Sequence, residues 1–333
     1  GEVVRMKFNT LPLLTWRQAK VNYAEFELPD FVRDFLSMTG RSLEEDGIGG
    51  EGSTDQEVVE APEGDLLPGR KISRVSSREK RVLIDHDLIL ARKNSKIFLI
   101  LDYENDFGGE ESFRRTSIRV VAEEGSEVKV CYLSRNDEHH FAMVSLKADV
   151  HKDAKFQLIQ AEVGAQKSFF GCEVDLLEEG AEVEIDSIYF VDGSRELDLF
   201  YNINHIAKKT GSRIRVNGAL KDEAKKTFKG TIDFRKGSSE SKGSEEEYAT
   251  LLDDSVRNIA VPVLLCQEDD VEGVHAASAG KIDEDLLFYI MSRGLNLSQA
   301  KRIIVESKLT PTLDLILDEE LKKKVWERIE GAM

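Results

Sequence analysis

The chain has 333 residues and a formal net charge of −17, from 63 Asp and Glu against 46 Lys and Arg. An electric field of that sign repels phosphate backbones and anionic lipids, so the composition argues against nucleic-acid and membrane partners. Hydrophobic residues make up 41% of the chain, enough for a sizeable core in one long domain or in two ordinary ones.

The three cysteines are widely spaced and odd in number, and no CxxC pair occurs. This pattern argues against a disulfide framework and against a self-contained zinc site. Free cysteines suit a reducing cytosol. The longest apolar run, residues 259–266, is too short to span a bilayer, and no signal-peptide pattern precedes it. We therefore expect a soluble, cytoplasmic protein.

Residues 1–69 are predicted to form a small helical element followed by an acidic loop. Trp16, Ala19, Tyr23 and Phe26 recur at helical spacing, and a second helix is expected to start near Asp30. Residues 40–69 contain seven glycines and nine acids against one base. Such a segment buries too little apolar area to offset the entropy of ordering it. It is predicted to be a mobile loop, with a regulatory tail as the alternative.

Residues 70–282 alternate apolar and polar positions, as strands with one buried face do. Val128 and Val130 illustrate the pattern, and so do Ile214 and Val216. Small turn residues precede strands at positions 125, 153, 180 and 211, with separations of 28, 27 and 31 residues. Near-constant spacing is typical of a solenoid, so a parallel β-helix core is predicted. An antiparallel sandwich with accidental spacing remains the alternative.

Residues 208–236 reverse the overall charge, with ten basic residues against three acids. They form either a docking face for an acidic partner or solvated coil edges, where charge discourages strand pairing. Residues 237–247 are predicted to be a loop, and residues 248–266 to supply a final strand or two.

Residues 283–333 are predicted to be a helical module of four short helices. Asp283 caps the first helix and Gly294 ends it. Ser298 is expected to cap the second, Pro311 to open the third, and Asp318 to start the fourth. Four short helices bury little area alone, so they must pack on the solenoid or on a partner.

No phosphate-binding loop, GxGxxG, HExxH or GxSxG motif is present, which argues against an ATPase, dehydrogenase, zincin or serine hydrolase. We predict that the chain is not an enzyme, although a carbohydrate-active β-helix enzyme remains an alternative. His275 lies in a run of small residues, with Glu272 and Cys266 close in sequence. Imidazole, carboxylate and thiolate can all bind iron or an iron–sulfur fragment. From the residues alone, a structural role for His275 stays open.

One stretch carries a family resemblance. It runs through Asp269-Asp270-Val271, His275, Gly280, Ile282-Asp283-Glu284, Leu287-Phe288-Tyr289, Ser292-Arg293-Gly294 and Ala300. This order resembles the SufB/SufD family of scaffold subunits in the SUF iron–sulfur cluster assembly system, and it is more similar to SufD.

The resemblance implies a right-handed parallel β-helix core with helical ends. It also implies pairing with a second subunit, either as a homodimer or as a heterodimer with a SufB-like subunit. The C-terminal helices would dock a SufC-like ABC-type ATPase subunit through Leu287, Phe288, Tyr289 and Arg293.

The resemblance further implies a transient iron–sulfur cluster with His275 as the strongest candidate ligand and Glu272 and Cys266 as further candidates. Gly273 stands where SufD-type motifs commonly have Cys, and Ala276 stands where SufB-type motifs have Glu. We therefore expect no stable cluster on this chain alone. A purely structural partner subunit with no cluster site is the remaining alternative.

Overall fold

A computed structural model describes residues 5–13, 21–40, 43, 54–105 and 110–333. The elements before the solenoid are β1 (Arg5–Phe8), β2 (Ala24–Glu27) and α1 (Asp30–Thr39). The strands that follow are β3 (Asp55–Ala61), β4 (Leu66–Ser76), β5 (Val82–Ala91), β6 (Lys96–Asn105), β7 (Ser112–Ala122), β8 (Glu127–Arg135), β9 (His140–Val150), β10 (Lys155–Val163), β11 (Lys167–Leu176), β12 (Glu182–Val191), β13 (Glu196–His205), β14 (Gly211–Leu220), β15 (Lys225–Phe234), β16 (Ser241–Leu251), β17 (Arg257–Cys266) and β18 (Val271–Lys281). The chain then continues into α2 (Glu284–Ser292), α3 (Leu297–Leu313) and α4 (Glu319–Ala332).

Strands β3 to β18 form a parallel β-solenoid of two facing sheets. The odd-numbered strands make one eight-stranded sheet, here the odd sheet, and the even-numbered strands make the other, the even sheet. Each coil gives one strand to each sheet, and neighbouring coils pair in parallel. The predicted mainly β, parallel β-helix fold is confirmed, and the antiparallel sandwich is wrong.

The repeat read from the sequence is one corner of the solenoid. The turn residues Asn94, Gly125, Asp153, Gly180 and Lys209 all have φ between 52° and 77°. At Gly125 a Cβ atom would overlap the Asn94 side chain in the coil before it, so a larger residue there would require that side chain to move. Small or turn-forming residues recur because each coil has a residue with positive φ at the same corner, stacked on the corner of the neighbouring coil.

Inward-facing side chains of successive coils stack between the two sheets. An aromatic ladder runs through Tyr103, Tyr132, Phe170, Tyr201 and Phe228, with ring centroids 5.1–6.3 Å apart. All five rings are at most 1% exposed. A coil cannot bury this inner face alone, so each depends on the coils beside it.

The outer faces of both sheets are covered by helices in part. Helices α3 and α4 pack on outward-facing apolar residues of the even sheet, including Ile100, Cys131 and Phe190. This cover explains why β6 is apolar on both faces. Burial also raises the pKa of the Cys131 thiol to about 12. Helix α1 and strand β2 cover the odd sheet, where Phe26 packs against Phe113.

The predicted helix around Tyr23 and Phe26 is wrong. Phe26 belongs to β2, which pairs antiparallel with β1, and Met6 is its partner in register. Phe26 is buried against the apolar surface of the odd sheet, whereas a short helix on its own would leave this side chain exposed. Trp16 and Ala19 lie outside the described residues, whereas the helix expected near Asp30 is confirmed as α1.

The acidic segment is only partly a loop, and the solenoid begins at Asp55 instead of residue 70. Strand β3 buries Val59 and Ala61 against β5, and β4 begins at Leu66. The neighbouring coil supplies the backbone hydrogen bonds and the apolar surface that stabilise this segment as strand, although its composition alone predicts a loop. Residues 41–42 and 44–53 lie outside the described part of the chain.

Two further predictions need correction near the C-terminus. The expected loop at 237–247 is strand from Ser241 onward, paired with β14. Three helices follow the solenoid within the described residues, since α3 runs through Pro311 to Leu313. Pro311 sits in the last turn of α3, where its missing N–H leaves one i→i−4 hydrogen bond unmade but does not end the helix. Asn296, not Ser298, caps α3.

The basic side chains of residues 208–236 lie at different places on the coils, some at exposed corners and some buried. Lys208 and Lys209 lie half-exposed at a corner beside Glu179. Lys226 and Lys229, by contrast, are buried and paired with carboxylates. The segment is therefore not one uniform basic face, and its exposed charges fit the coil-edge interpretation.

Candidate functional site

The last coil of the solenoid is open. Within the described residues, β17 pairs only with β15, and β18 pairs only with β16. Nine of the eleven residues of β18 are exposed, whereas six of the eleven residues of β16, one coil earlier, are buried. The row of backbone N–H and C=O groups on each free edge can therefore pair with another chain.

The register places His275 on the inner face of this open coil. His275 lies directly beside Glu245 of β16, and Gly273 lies beside Gly243. Glu245 is an inward-facing residue with 1% exposure. In-register parallel strands present matching residues to the same face, so His275 follows Glu245 toward the space between the sheets.

The odd sheet supplies the opposite wall. Glu245 lies across from Gly230, where an added Cβ atom would overlap its carboxylate. In the next coil, Gly230 is paired with Pro262 and Glu245 with His275. His275 therefore faces Pro262 across the open end of the solenoid.

A second inward-facing acid, Glu247, accepts two hydrogen bonds at Oε1 from groups of other coils, whereas its Oε2 is buried without a partner among the described residues. Lys226 donates from Nζ to Glu247 Oε1 over 2.6 Å, and the Tyr189 hydroxyl donates to the same oxygen over 3.0 Å. Lys226 and Glu247 are 0% and 1% exposed at their side chains. Burial lowers the pKa of Lys226, and Glu247 acts in the opposite direction.

Glu245 is not paired in this way. Its Oε2 is buried and has no hydrogen-bond partner among the described residues. Burial, together with the nearby charge of Glu247, raises the pKa of Glu245 to about 8. A carboxyl group held in this manner is ready to accept a proton, a hydrogen bond or a cation.

The three ligand candidates from the sequence do not converge. Glu272 lies beside exposed Lys242, and the two form an ion pair over 3.0 Å. Glu272 and His275 are three residues apart on β18, so they point to opposite faces. Cys266 is exposed at the far end of β17, in register with Phe234. In the part of the chain that the structure describes, no three His, Cys, Asp or Glu side chains could hold a metal ion together.

The sequence reading missed Glu245. Glu245 lies in the segment 237–247, for which the composition predicts a loop, and a loop has no alternation from which an inward direction could be inferred. The signal that could have found it is the coil length, because Glu245 stands one coil before His275 in register.

Helix α2 carries the second exposed feature near the open end. Leu286, Phe288, Tyr289 and Met291 are 45%, 75%, 55% and 38% exposed. Arg293 donates to the Tyr289 hydroxyl over 2.8 Å and lies over its ring. Exposed apolar side chains grouped on one surface are typical of protein contact sites.

The fold and site define a parallel β-solenoid protein with an open last coil and a helical C-terminal module. None of the helices in the described residues is long and apolar enough to cross a membrane. The family model described as "SUF system FeS cluster assembly, SufBD core domain" matches residues 74–308. The chain therefore belongs to the SufBD family.

Several curated proteins are similar to this chain. The SufD iron–sulfur cluster assembly protein of Bacillus subtilis is 24% identical over 249 residues, covering 74% of this chain and 57% of that protein. A SufBD family protein of Pyrococcus horikoshii is 28% identical over 251 residues, covering 74% and 56%. One of Mycobacterium leprae is 23% identical over 252 residues, covering 75% and 29%. The matched region spans little more than half of these relatives, or less.

Proposed function

We propose that the chain is a non-catalytic scaffold subunit for assembling iron–sulfur clusters. The observation that carries the proposal is His275 on the inner face of an open last coil, in a chain that belongs to the SufBD family. The imidazole is exposed, so an iron–sulfur fragment can reach it. The cluster is cargo, held transiently and completed by ligands from outside the chain.

The free edges of the last coil support pairing with a second subunit, either another copy or a SufB-like chain. Pairing there would bury the unpaired edges of β17 and β18 and bring a second set of side chains opposite His275. A lysine on the edge strand should block it, so Ser278→Lys is expected to shift the molar mass measured by light scattering from dimer to monomer. An unchanged mass would place the interface elsewhere.

The exposed face of α2 supports docking of a SufC-like ABC-type ATPase subunit. Phe288, Tyr289 and the partly buried Leu287 would contact that subunit, with Arg293 holding the Tyr289 ring. Phe288→Asp should abolish co-purification with the ATPase subunit, because a charge replaces the most exposed apolar side chain of α2. Met38→Asp, which changes an exposed apolar residue on α1, is the matched control. Retained binding in Phe288→Asp would contradict docking on α2.

The ligand role of His275 is tested in cells that depend on this chain for cluster assembly. His275→Ala should reduce the activity of iron–sulfur enzymes while leaving the circular dichroism spectrum of the purified chain unchanged. His139→Ala, on a surface turn far from the open coil, should have no effect. Normal cluster assembly in His275→Ala would favour a purely structural partner subunit.

The carbohydrate-enzyme alternative expects a carboxylate-lined groove along the outside of the solenoid. Three acids whose pKa is raised by burial lie inside the solenoid and are at most 3% exposed, namely Asp85, Glu162 and Glu245. They are out of reach of a polysaccharide, which supports the scaffold proposal over the enzyme.

A further inference from the structure

One inward-facing row of the even sheet changes its chemistry at the open end. Five coils place apolar, fully buried side chains in this row, and the next two coils place Glu245 and His275. The apolar members in register are Leu99, Val130, Leu158, Ile185 and Ile214. A carboxyl group in an apolar row costs free energy unless another group satisfies it. The position therefore calls for a specific explanation.

The contrast with Glu247 shows that Glu245 is not simply part of a buried ion pair. Glu247, two residues further along β16, also has a buried Oε2 without a partner, but Lys226 and Tyr189 satisfy its Oε1 and Lys226 balances its charge. No lysine, arginine or hydroxyl in the described residues donates to Glu245 Oε2. Gly230 leaves the space that this carboxylate occupies, since any larger residue there would overlap it. The local structure accommodates a buried acid and leaves one oxygen without a partner.

The neighbour of Glu245 on the open side is His275, in direct register on β18. In-register residues of neighbouring parallel strands have their Cα atoms about 4.8 Å apart, so one ion can lie between the two side chains. One imidazole nitrogen and one carboxylate oxygen form a ligand set that suits ferrous iron. Glu272 cannot take this place, because it points to the other face of β18 and is paired with Lys242.

We propose that Glu245 is a metal-binding residue that holds a ferrous ion together with His275 at the open end of the solenoid. This inference rests on the proposed function and specifies how iron enters the site. Two protein ligands come from this chain. The remaining coordination positions face the open end, where water, sulfide or the paired subunit supplies the other ligands.

The test measures binding of Co²⁺, as a spectroscopic substitute for ferrous iron, to the full 333-residue chain by absorption and by calorimetry. Glu245→Gln and His275→Ala should each weaken Co²⁺ binding roughly tenfold or more, the loss typical when a metal site loses a key group. The double variant should bind little weaker than either single variant, because both residues serve one site. Wild-type affinity in Glu245→Gln would overturn the proposal.

Two further variants keep the result interpretable. Glu246→Gln changes the adjacent acid, which points to the other face of β16, and should leave the affinity unchanged. Glu245→Leu restores the apolar row, so it should fold even if the glutamine variant does not, and it should also lose Co²⁺. If His275→Ala fails in cells while Glu245→Gln and Glu245→Leu bind Co²⁺ normally, the scaffold function stands and only the role of Glu245 is refuted.

Discussion

The buried pair of Lys226 and Glu247 gives a quantitative test of how the last coils are held together. Replacing Lys226 with Met removes the cation and keeps most of the side-chain volume. Glu247 would then be left buried with the Tyr189 hydroxyl as its remaining donor. Removing one partner of a buried ion pair typically costs about 3–5 kcal/mol, because the other charge stays desolvated. We expect a loss in this range at neutral pH.

The effect should be local, because each coil of a solenoid contacts mainly its neighbours. Amide hydrogen exchange of β15 and β16 is therefore the appropriate assay, since it reports the free energy of local opening. Denaturant unfolding followed by circular dichroism gives the corresponding shift for the whole chain. Lys225→Met changes the exposed neighbour on the same strand and should shift stability by no more than about 0.5 kcal/mol.

The double variant Lys226→Met/Glu247→Gln decides whether the loss comes from the unpaired charge. Glutamine keeps an acceptor for the Tyr189 hydroxyl but carries no charge, so the double variant should recover most of the lost stability. A coupling energy of about 2 kcal/mol or more is expected from the cycle. If the double variant is as unstable as Lys226→Met, the lysine stabilises the coil through its packing and the electrostatic explanation is wrong.

Two further predictions concern other buried groups. Burial raises the pKa of Glu162 from 4.5 to about 7, so the unfolded chain ionises at this residue from about pH 4.5 while the native chain keeps the proton to about pH 7. The free energy of unfolding should therefore fall as pH rises through that window. Urea unfolding should show Glu162→Gln to be more stable than wild type by about 3 kcal/mol at pH 8 but not at pH 4. An equal gain at both pH values would refute this pH dependence. A thiol reagent should label Cys266 rapidly in the native chain, and Cys131 and Cys172 only after unfolding. The latter two are buried and have raised thiol pKa values. Rapid labelling of all three cysteines in the native chain would contradict this packing.

The sequence was sufficient to predict the solenoid because its corners and its alternation repeat. Left-handed turns at positions such as Gly125 and Asp153 leave a direct signal in residue type. The caps of the first and last C-terminal helices were equally readable, since Asp283 and Asp318 both accept from the backbone three residues ahead. Such features are local, so neighbouring residues suffice to specify them.

Strand formation in polar segments could not be read in the same way. Residues 55–61 and 241–247 carry loop-like compositions, yet both are strands. Their backbone hydrogen bonds and apolar contacts come from coils about thirty residues away in sequence. Propensity is a weak guide when a neighbouring strand supplies most of the stabilisation. The helix predicted at Phe26 is wrong for the same reason, because β1 and the odd sheet supply the contacts of this residue.

The sequence by itself determined the repeating corners, the inner apolar rows, the helix caps and the motif around His275. Only the tertiary structure decided which groups meet at the open end. Alternation places Glu272 and His275 on opposite faces of β18, and coil stacking places Glu245, thirty residues earlier, directly beside His275. The physical reason is that a solenoid brings residues together by coil register, and that register depends on the hydrogen-bonded pairing of whole strands.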